Sequence, residues 1–365
     1  MKVTRAEIDS AYTMVSEKEI SIVKLMKKQI EEYESVVLER NNFSLNQRGI
    51  NIRCETRPIR SVGCYIPGGK AVYPSTVLMT VIPAKIAGVP RIVITTPPSL
   101  GKIDPLILVT ADLCQVNEIY KIGGVQSIGA LAYGTKTIKK VQKIVGPGNI
   151  YVTIAKKLVS QQVQIDVPAG PSEILVIADE SANSKFIALD MIAQAEHGPY
   201  GSMVLVTESQ ELGNKVKQEL NDLSKECPRK ELVRDALERG GCILVLESMD
   251  ECIDFVNKFA PEHLEIMADN SVDIINRVNN AGLILDGNYS PVALSDYLVG
   301  TNHVLPTNGY GAICSGLSSL DFVKRMNIVN CSKQNLKEMV EPIQIITSSE
   351  HLYNHALSIE RRFYS

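Results

Sequence analysis

Five histidines occur in this 365-residue chain, and most of them sit beside a carboxylate or an amide. His197 closes AQAEH, three residues after Gln194. His263 follows Glu262 in PEHL, and His303 ends GTNH, seven residues after Asp296. His351 and His355 share SSEHLYNH with Glu350. Neutral imidazoles, carboxylates and other donors that converge in a fold can hold a metal whatever their separation along the chain. Taken singly, each histidine is better explained as an ordinary residue. It is the recurrence of the pattern that favours a polar catalytic site.

Glu262-His263 is the pair best suited to proton transfer. An imidazole titrates near neutral pH, and an adjacent carboxylate can activate water or orient a second proton step. Neighbours within a strand point to opposite faces, so the pair must sit in a turn to act together, and Pro261 favours one. A helix beginning at Pro261, with Glu262 near its positive end, accounts for the same residues. Gln194 and His197 fall at i and i+3 near the end of a helix predicted from SKFIALDMIAQAEH, with Ser184 as its N-cap and Gly198-Pro199 as its stop. Glu350 and His355 are i and i+5 on a second predicted helix, only roughly on one side.

These side chains need a framework. RIVITTPP (91–98), EIYKIGG (118–124), EILVIAD (173–179), SMVLVTES (202–209), CILVLES (242–248) and GLILDGN (282–288) read as buried strands. Helical patterns lie between them, among them 18–37 and 75–88, the latter expected to kink or end early at Pro83. The alternation predicts an α/β protein with largely parallel sheets. From about Leu320 the strand signal fades, and the segment reads as helical and charged. Glycine-bearing loops at 64–71, 122–135, 145–153, 167–174 and 295–312 suit close backbone approach to an anion, although no G-x-G-x-x-G occurs.

The bulk properties set outer bounds. A net charge of −3 and a pI near 6.0 speak against a nucleic-acid binder. The N-terminus has no apolar signal region, and the longest apolar run is broken by Lys85, two prolines and Arg91, so a soluble cytoplasmic protein is expected. The eight cysteines include no C-x-x-C and read mostly as small core residues.

The ordered series YIPGG, GGVQSIGALAYGT, GPGN, PAGPSE, AQAEHGP, PEHL, SDYLVGTNHVLPT and EHLYNH resembles the histidinol dehydrogenase family, from about Lys2 to the C-terminus. The resemblance implies oxidation of L-histidinol to L-histidine in four electrons, with NAD and zinc, through an aldehyde-level intermediate. It implies zinc ligands at Gln194, His197, Asp296 and His355, and general bases at Glu262 and His263. Substrate contacts are implied at Ser172, His263, His303 and Glu350 besides the metal ligands, and NAD contacts at Tyr65, Gln126 and Asn149. The family's fold implies two incomplete Rossmann-like domains. One spans 65–173 on the NAD side; the other, 1–64 with 174–317, carries zinc and the bases. A helical arm, 318–365, crosses to the partner of a homodimer, so that Glu350 and His355 complete the other subunit's site. The chain departs from the family by lacking roughly the first sixty residues of a typical member, and by Ser295 where many relatives have glycine. A zinc hydrolase using Glu262, or a non-catalytic binding relative, stands as the alternative.

Overall fold

The computed structural model describes residues 1–68, 72–167 and 170–363, so parts of the YIPGG and PAGPSE loops lie outside the described residues. In chain order the elements are α1 (Arg5–Tyr12), α2 (Glu17–Glu39), β1 (Phe43–Gln47), β2 (Ile50–Pro58), β3 (Val62–Tyr65), α3 (Pro74–Ile86), β4 (Ile92–Thr96), α4 (Pro105–Leu113), β5 (Glu118–Lys121), α5 (Gly124–Tyr133), β6 (Lys143–Val145), α6 (Ile150–Val159) and β7 (Gln164–Ile165). They continue as β8 (Glu173–Ala178), α7 (Ser184–Ala195), β9 (Ser202–Thr207), α8 (Gln210–Glu226), α9 (Lys230–Gly240), β10 (Gly241–Val245), α10 (Met249–Phe259), β11 (His263–Met267), α11 (Ser271–Arg277), β12 (Leu283–Asp286), α12 (Val292–Tyr297), β13 (Val323–Asn330), α13 (Lys333–Glu338), α14 (Val340–Ser349) and α15 (Tyr353–Glu360).

Two five-stranded parallel sheets dominate, ordered β5-β4-β3-β6-β7 and β10-β9-β8-β11-β12. Each begins at its centre, runs outward and then reverses, so each has a switch point: between β3 and β6, and between β8 and β11. The central strands are buried along their full length, β3 as VGCY and β8 as EILVIA, because helices cover both faces. All six strands expected from sequence are present. The α/β class holds.

Three local expectations are corrected. The helix 184–195 is capped by Asn183, whose side chain accepts from the N–H groups of Lys185 and Phe186, and not by Ser184. The segment after Leu320 contains a strand: β13 pairs antiparallel with β2 in a small sheet, β1-β2-β13. Most of its side chains are exposed, so it carries no apolar alternation to betray it. Pro83 does not stop α3, which runs on to Ile86. Proline has no N–H to offer the carbonyl four residues back, that of Met79. The Asn302 amide donates to this carbonyl instead, at 2.7 Å, so the gap in the helix ladder becomes a socket for the 301–303 loop.

The N-terminal helices pack on α3 and α4. Ile8, Val23, Met26 and Ile30 join Val77, Leu78, Val81 and Leu108 in the core beside the first sheet. By packing, residues 5–39 therefore group with that sheet, whereas the expected division set 1–64 with 174–317.

Candidate active site

His263 opens β11, and Glu262 occupies the bend before it. Neither a helix start nor a free turn is present: α10 ends at Phe259, Ala260 takes a left-handed conformation, and the chain passes directly into the strand. Because Glu262 precedes the pleat, its side chain escapes strand alternation and lies on the same side as His263, with Oε2 3.6 Å from the imidazole Nδ1. Parallel pairing of β11 with β8 sets Glu173 beside both residues. The Glu173 N–H donates to Glu262 Oε2 at 2.7 Å, and His263 Nδ1 lies 3.1 Å from the Glu173 carbonyl oxygen. A carbonyl only accepts, so Nδ1 carries the proton and Nε2 keeps its lone pair. Nε2 is buried without a hydrogen-bond partner among the described residues.

Burial pushes the Glu262 carboxyl well above its usual range; the Glu173 N–H opposes this, and the charges of Glu173 and Asp296 add to it. Burial brings His263 down to about 4, against the Glu173 carbonyl and with help from His197. Burial likewise takes His303 to about 4, with His263 and His197 contributing. Charge thus links His263 with His197 and His303, and Glu262 with Asp296 and Glu173.

Gln194 and His197 reach this neighbourhood from α7. Gln194 is 3% exposed in the last helical turn, and its Nε2 is buried without a partner among the described residues. His197 lies just beyond the helix, its N–H donating to the Gln194 carbonyl at 3.1 Å, and Gly198 takes a positive φ of 116° to turn the chain away. The outer edge of His197 is exposed, yet enough protein surrounds the ring to lower its pKa; Glu196 opposes this and Arg229 adds to it. Asp296 stands on α12, which packs on α7, and burial raises its carboxyl to about 6. Ser295 turns its hydroxyl back to the Val292 carbonyl at 2.8 Å, so serine at this position leaves the Asp296 side chain free.

His303 is held from the opposite side. With Asn302 plugged into α3, the His303 Nε2 sits 3.4 Å from Thr76 Oγ1 at the start of that helix, and its Nδ1 lies 3.8 Å from Asp296. Ser172 is half-buried just ahead of Glu173, its carbonyl accepting from Ser202 N–H. Glu350 and His355 do not join these residues. Glu350 caps α14, His351 has a positive φ of 59°, and His355 lies on α15, so they occupy two helices and not one. Both are exposed. Among the described residues, no three His, Cys, Asp or Glu side chains converge as a metal site.

Tyr65 ends β3 at the first switch point, 4% exposed, with its hydroxyl accepting the Gly124 N–H at 3.2 Å. Asn149 caps α6, its Oδ1 accepting from Val152 N–H at 3.1 Å, and Gln126 lies exposed in the first turn of α5. Two helix N-termini therefore flank Tyr65 at the carboxyl edge of the first sheet, the usual place for a dinucleotide pyrophosphate in such sheets. A methyl group on Gly148 would meet Val152 at 2.5 Å, so only glycine fits the turn into α6.

The family model for histidinol dehydrogenase matches residues 1–363. The chain belongs to the histidinol dehydrogenase family. It is 46% identical over 363 residues to histidinol dehydrogenase of Methanocaldococcus jannaschii, covering 99% of this chain and 84% of that one. It is equally similar, 46% over 364 residues, to the enzyme of Clostridium acetobutylicum, covering 100% and 84%. The crystal structure of histidinol dehydrogenase from Elizabethkingia anophelis superposes with a TM-score of 0.96 at 39% identity, covering 100% of this chain and 84% of that one. Succinate-semialdehyde dehydrogenase from Burkholderia pseudomallei, at 13% identity and a TM-score of 0.57, covers 86% of this chain and 78% of its own, and shares the fold alone. Family membership makes the chain an oxidoreductase of histidine biosynthesis acting on histidinol, and displaces the hydrolase alternative. Among the described residues, no helix is long and apolar enough to cross a membrane.

Sequence reasoning missed Glu173, Thr76 and Asn302. For Glu173 a signal was present, since a carboxylate heading the buried run EILVIA needs dedicated partners. For Asn302 the signal was Pro83, whose missing N–H demands a donor from elsewhere.

Proposed function

We propose that this chain oxidises L-histidinol to L-histidine in two successive steps, using NAD and zinc, with His263 and Glu262 as its proton-transfer groups. The observation that carries the reading is the His263 ring: neutral, tautomer set by the Glu173 carbonyl, and presenting a buried, unpartnered Nε2. In the first step Nε2 accepts the hydroxyl proton as hydride leaves the carbinol carbon, giving the aldehyde. Water then adds to the aldehyde carbon while Glu262 takes up its proton. A carboxyl raised by burial is a stronger base than a free one and exchanges protons closer to neutral pH. Loss of a second hydride from the resulting hydrate anion gives the carboxylic acid, which ionises to the carboxylate as it and the two protonated groups, His263 and Glu262, release their protons to water.

Bound NAD supplies the hydride acceptor for both steps, and the residues we assign to it are Tyr65, Gln126 and Asn149. Zinc, when bound, supplies a Lewis-acidic anchor for the substrate's oxygen and nitrogen donors. The donors available suit it in part. The Gln194 side chain is buried at the end of α7, His197 is driven toward its neutral form, and Asp296 is a partly buried carboxylate with no lysine or arginine paired to it among the described residues. His355 is the fourth donor in this reading and must come from a second copy of the chain. The exposed apolar residues of the arm, among them Ile345, Ile346, Leu352 and Tyr353, support docking of that arm in a homodimer. Ser172, His303 and, again from the second copy, Glu350 are assigned to substrate. As a working division, 174–317 carries the bases and metal donors, 65–173 the cofactor, and 318–365 the arm.

The test is the yield of reduced nicotinamide from a limiting amount of L-histidinol. Two equivalents per substrate, lost on chelation and restored by zinc, is the expected result. One equivalent with aldehyde accumulating would remove the second step, and turnover indifferent to chelation would remove the metal.

A further inference from the structure

Glu173 opens β8, is 6% exposed, and exchanges no proton in the reaction described above. It meets Glu262 in a reciprocal clasp: each main-chain N–H donates to the other's carboxylate, at 2.7 Å from Glu173 and 3.4 Å from Glu262. The second carboxylate oxygen of Glu173 accepts the N–H of Asn308 at 3.0 Å. Its carbonyl oxygen faces His263 Nδ1 at 3.1 Å. One residue therefore touches both proposed catalytic groups, and touches each through a different atom.

The choice of residue follows from donors and acceptors. Two main-chain N–H groups, from Glu262 and Asn308, converge on a buried point. A carboxylate offers two acceptors and no donor, whereas glutamine would turn an NH2 against one of those N–H groups. Burying a carboxylate is unfavourable, and its position here is sustained only by the bonds it accepts. We propose that Glu173 is a positioning residue for the reaction: its carbonyl selects the His263 tautomer that leaves Nε2 as proton acceptor, and its carboxylate holds the Glu262-His263 segment against β8. The proposal rests on the assignment of Glu262 and His263 given above.

Two measurements test it. With only five histidines in the chain, nitrogen-15 labelling of histidine and assignment by His263→Asn report the ring directly. The expected state in the unmodified protein at neutral pH is hydrogen on Nδ1 and none on Nε2; the reverse tautomer overturns the proposal. Glu173→Gln should then lower kcat by about 10²-fold, the size of effect seen when reacting groups are misplaced by about 1 Å, with KM for histidinol changed by less than about threefold. In the His263→Asn background, where the first proton transfer limits turnover, the same substitution should lower residual turnover by less than about threefold. An unchanged kcat in Glu173→Gln, or an equal loss in both backgrounds, overturns the proposal, the latter marking a framework role only. Normal turnover by His263→Asn alone removes the base assignment, and the proposal with it, and is told apart because it needs no Glu173 variant. Should Glu173→Gln not fold, the tautomer of the unmodified protein decides.

Discussion

Asn302 offers the most direct test of how the site is framed. Its Nδ2 donates to the Met79 carbonyl at 2.7 Å, and its Oδ1 accepts from Val304 N–H at 2.9 Å. Residues 75–84 of α3 are all buried, so water does not replace the lost donor readily. Asn302→Ala strands one buried carbonyl and one buried N–H, at roughly 1–3 kcal/mol each, and should destabilise the protein by about 2–6 kcal/mol. Pro83→Ala restores the helical N–H four residues after Met79. In the unmodified protein that donor meets a carbonyl already engaged, and the change should be within about 1 kcal/mol. In the Asn302→Ala background it repairs one of the two stranded groups and should recover about 1–2 kcal/mol. Guanidinium unfolding of the four proteins at one protein concentration gives the coupling from the midpoints. A Pro83→Ala effect equal in both backgrounds, to within about 0.3 kcal/mol, would refute the socket. The same loop seats His303 against Thr76, so Asn302→Ala should also raise KM for histidinol.

The other predictions concern the chemistry. His263→Asn should keep metal and histidinol binding largely intact while nearly abolishing reduction of NAD; normal turnover would remove its role as base. His355→Ala should reduce zinc retained after dialysis, and full occupancy in that variant would count against the ligand assignment. Lys156 and Asp166 form a buried ion pair that grips both ends of Gly146, the lysine donating to its carbonyl at 2.9 Å and the aspartate accepting its N–H at 2.6 Å. Asp166→Asn should therefore raise KM for NAD more than it lowers kcat, since the loop it steadies leads into Asn149 and away from histidinol. Asp296 has a folded pKa of about 6 against 3.8 unfolded, so the metal-free protein loses stability as pH rises through that window. Asp296→Asn should then stabilise the metal-free protein by about 1–3 kcal/mol at pH 7 and have little effect near pH 4; a destabilised metal-free variant at pH 7 would contradict the burial argument.

Much of this arrangement was legible in the residues. The six strands found from sequence are apolar runs; β4, β8 and β9 are buried almost throughout, whereas β10 and β12, expected to be buried, are partly exposed edge strands that composition still marks. The four missed strands of the parallel sheets are short or chemically loaded: β3 is VGCY, β6 is KIV, β7 is QI, and β11 begins at His263. A strand that must present an imidazole cannot also look like a core strand. The motifs named Glu262, His263, Gln194, His197 and Asp296; the fold sets Glu262 beside His263, brings Asp296 and His197 near enough to shift them, and leaves Gln194 bonded through its carbonyl to His197. No intrachain pattern showed that Glu350 and His355 would stand apart, because a positive φ at His351 breaks what reads as one helix. Asn302 and Glu173 act through main-chain atoms of distant residues, and such pairings are invisible until the strands are in register.

The two parallel sheets share one strand order yet put opposite edges to use. In the first, Tyr65 and the starts of α5 and α6 gather at the carboxyl edge, where open α/β sheets ordinarily bind ligands. In the second, Glu173 and His263 stand at the amino edge, and α7, returning from the far side, brings Gln194 and His197 to the same edge. The carboxyl edge of the second sheet is acidic instead: Asp179 and Asp269 follow β8 and β11, Asp286 ends the edge strand β12, and Asp179 spends its oxygens on Ser181 and on the Asp269 N–H. A pyrophosphate would meet like charge there. The bonds between Thr76 and His303, and between Gly170 and Thr307, bring the carboxyl edge of the first sheet against the amino edge of the second. In the assignment proposed above, a cofactor on the first edge would face the proposed proton acceptors on the second, each edge free of the other's electrostatic demands. Sheets joined carboxyl edge to carboxyl edge would instead have set that acidic cluster against the phosphates.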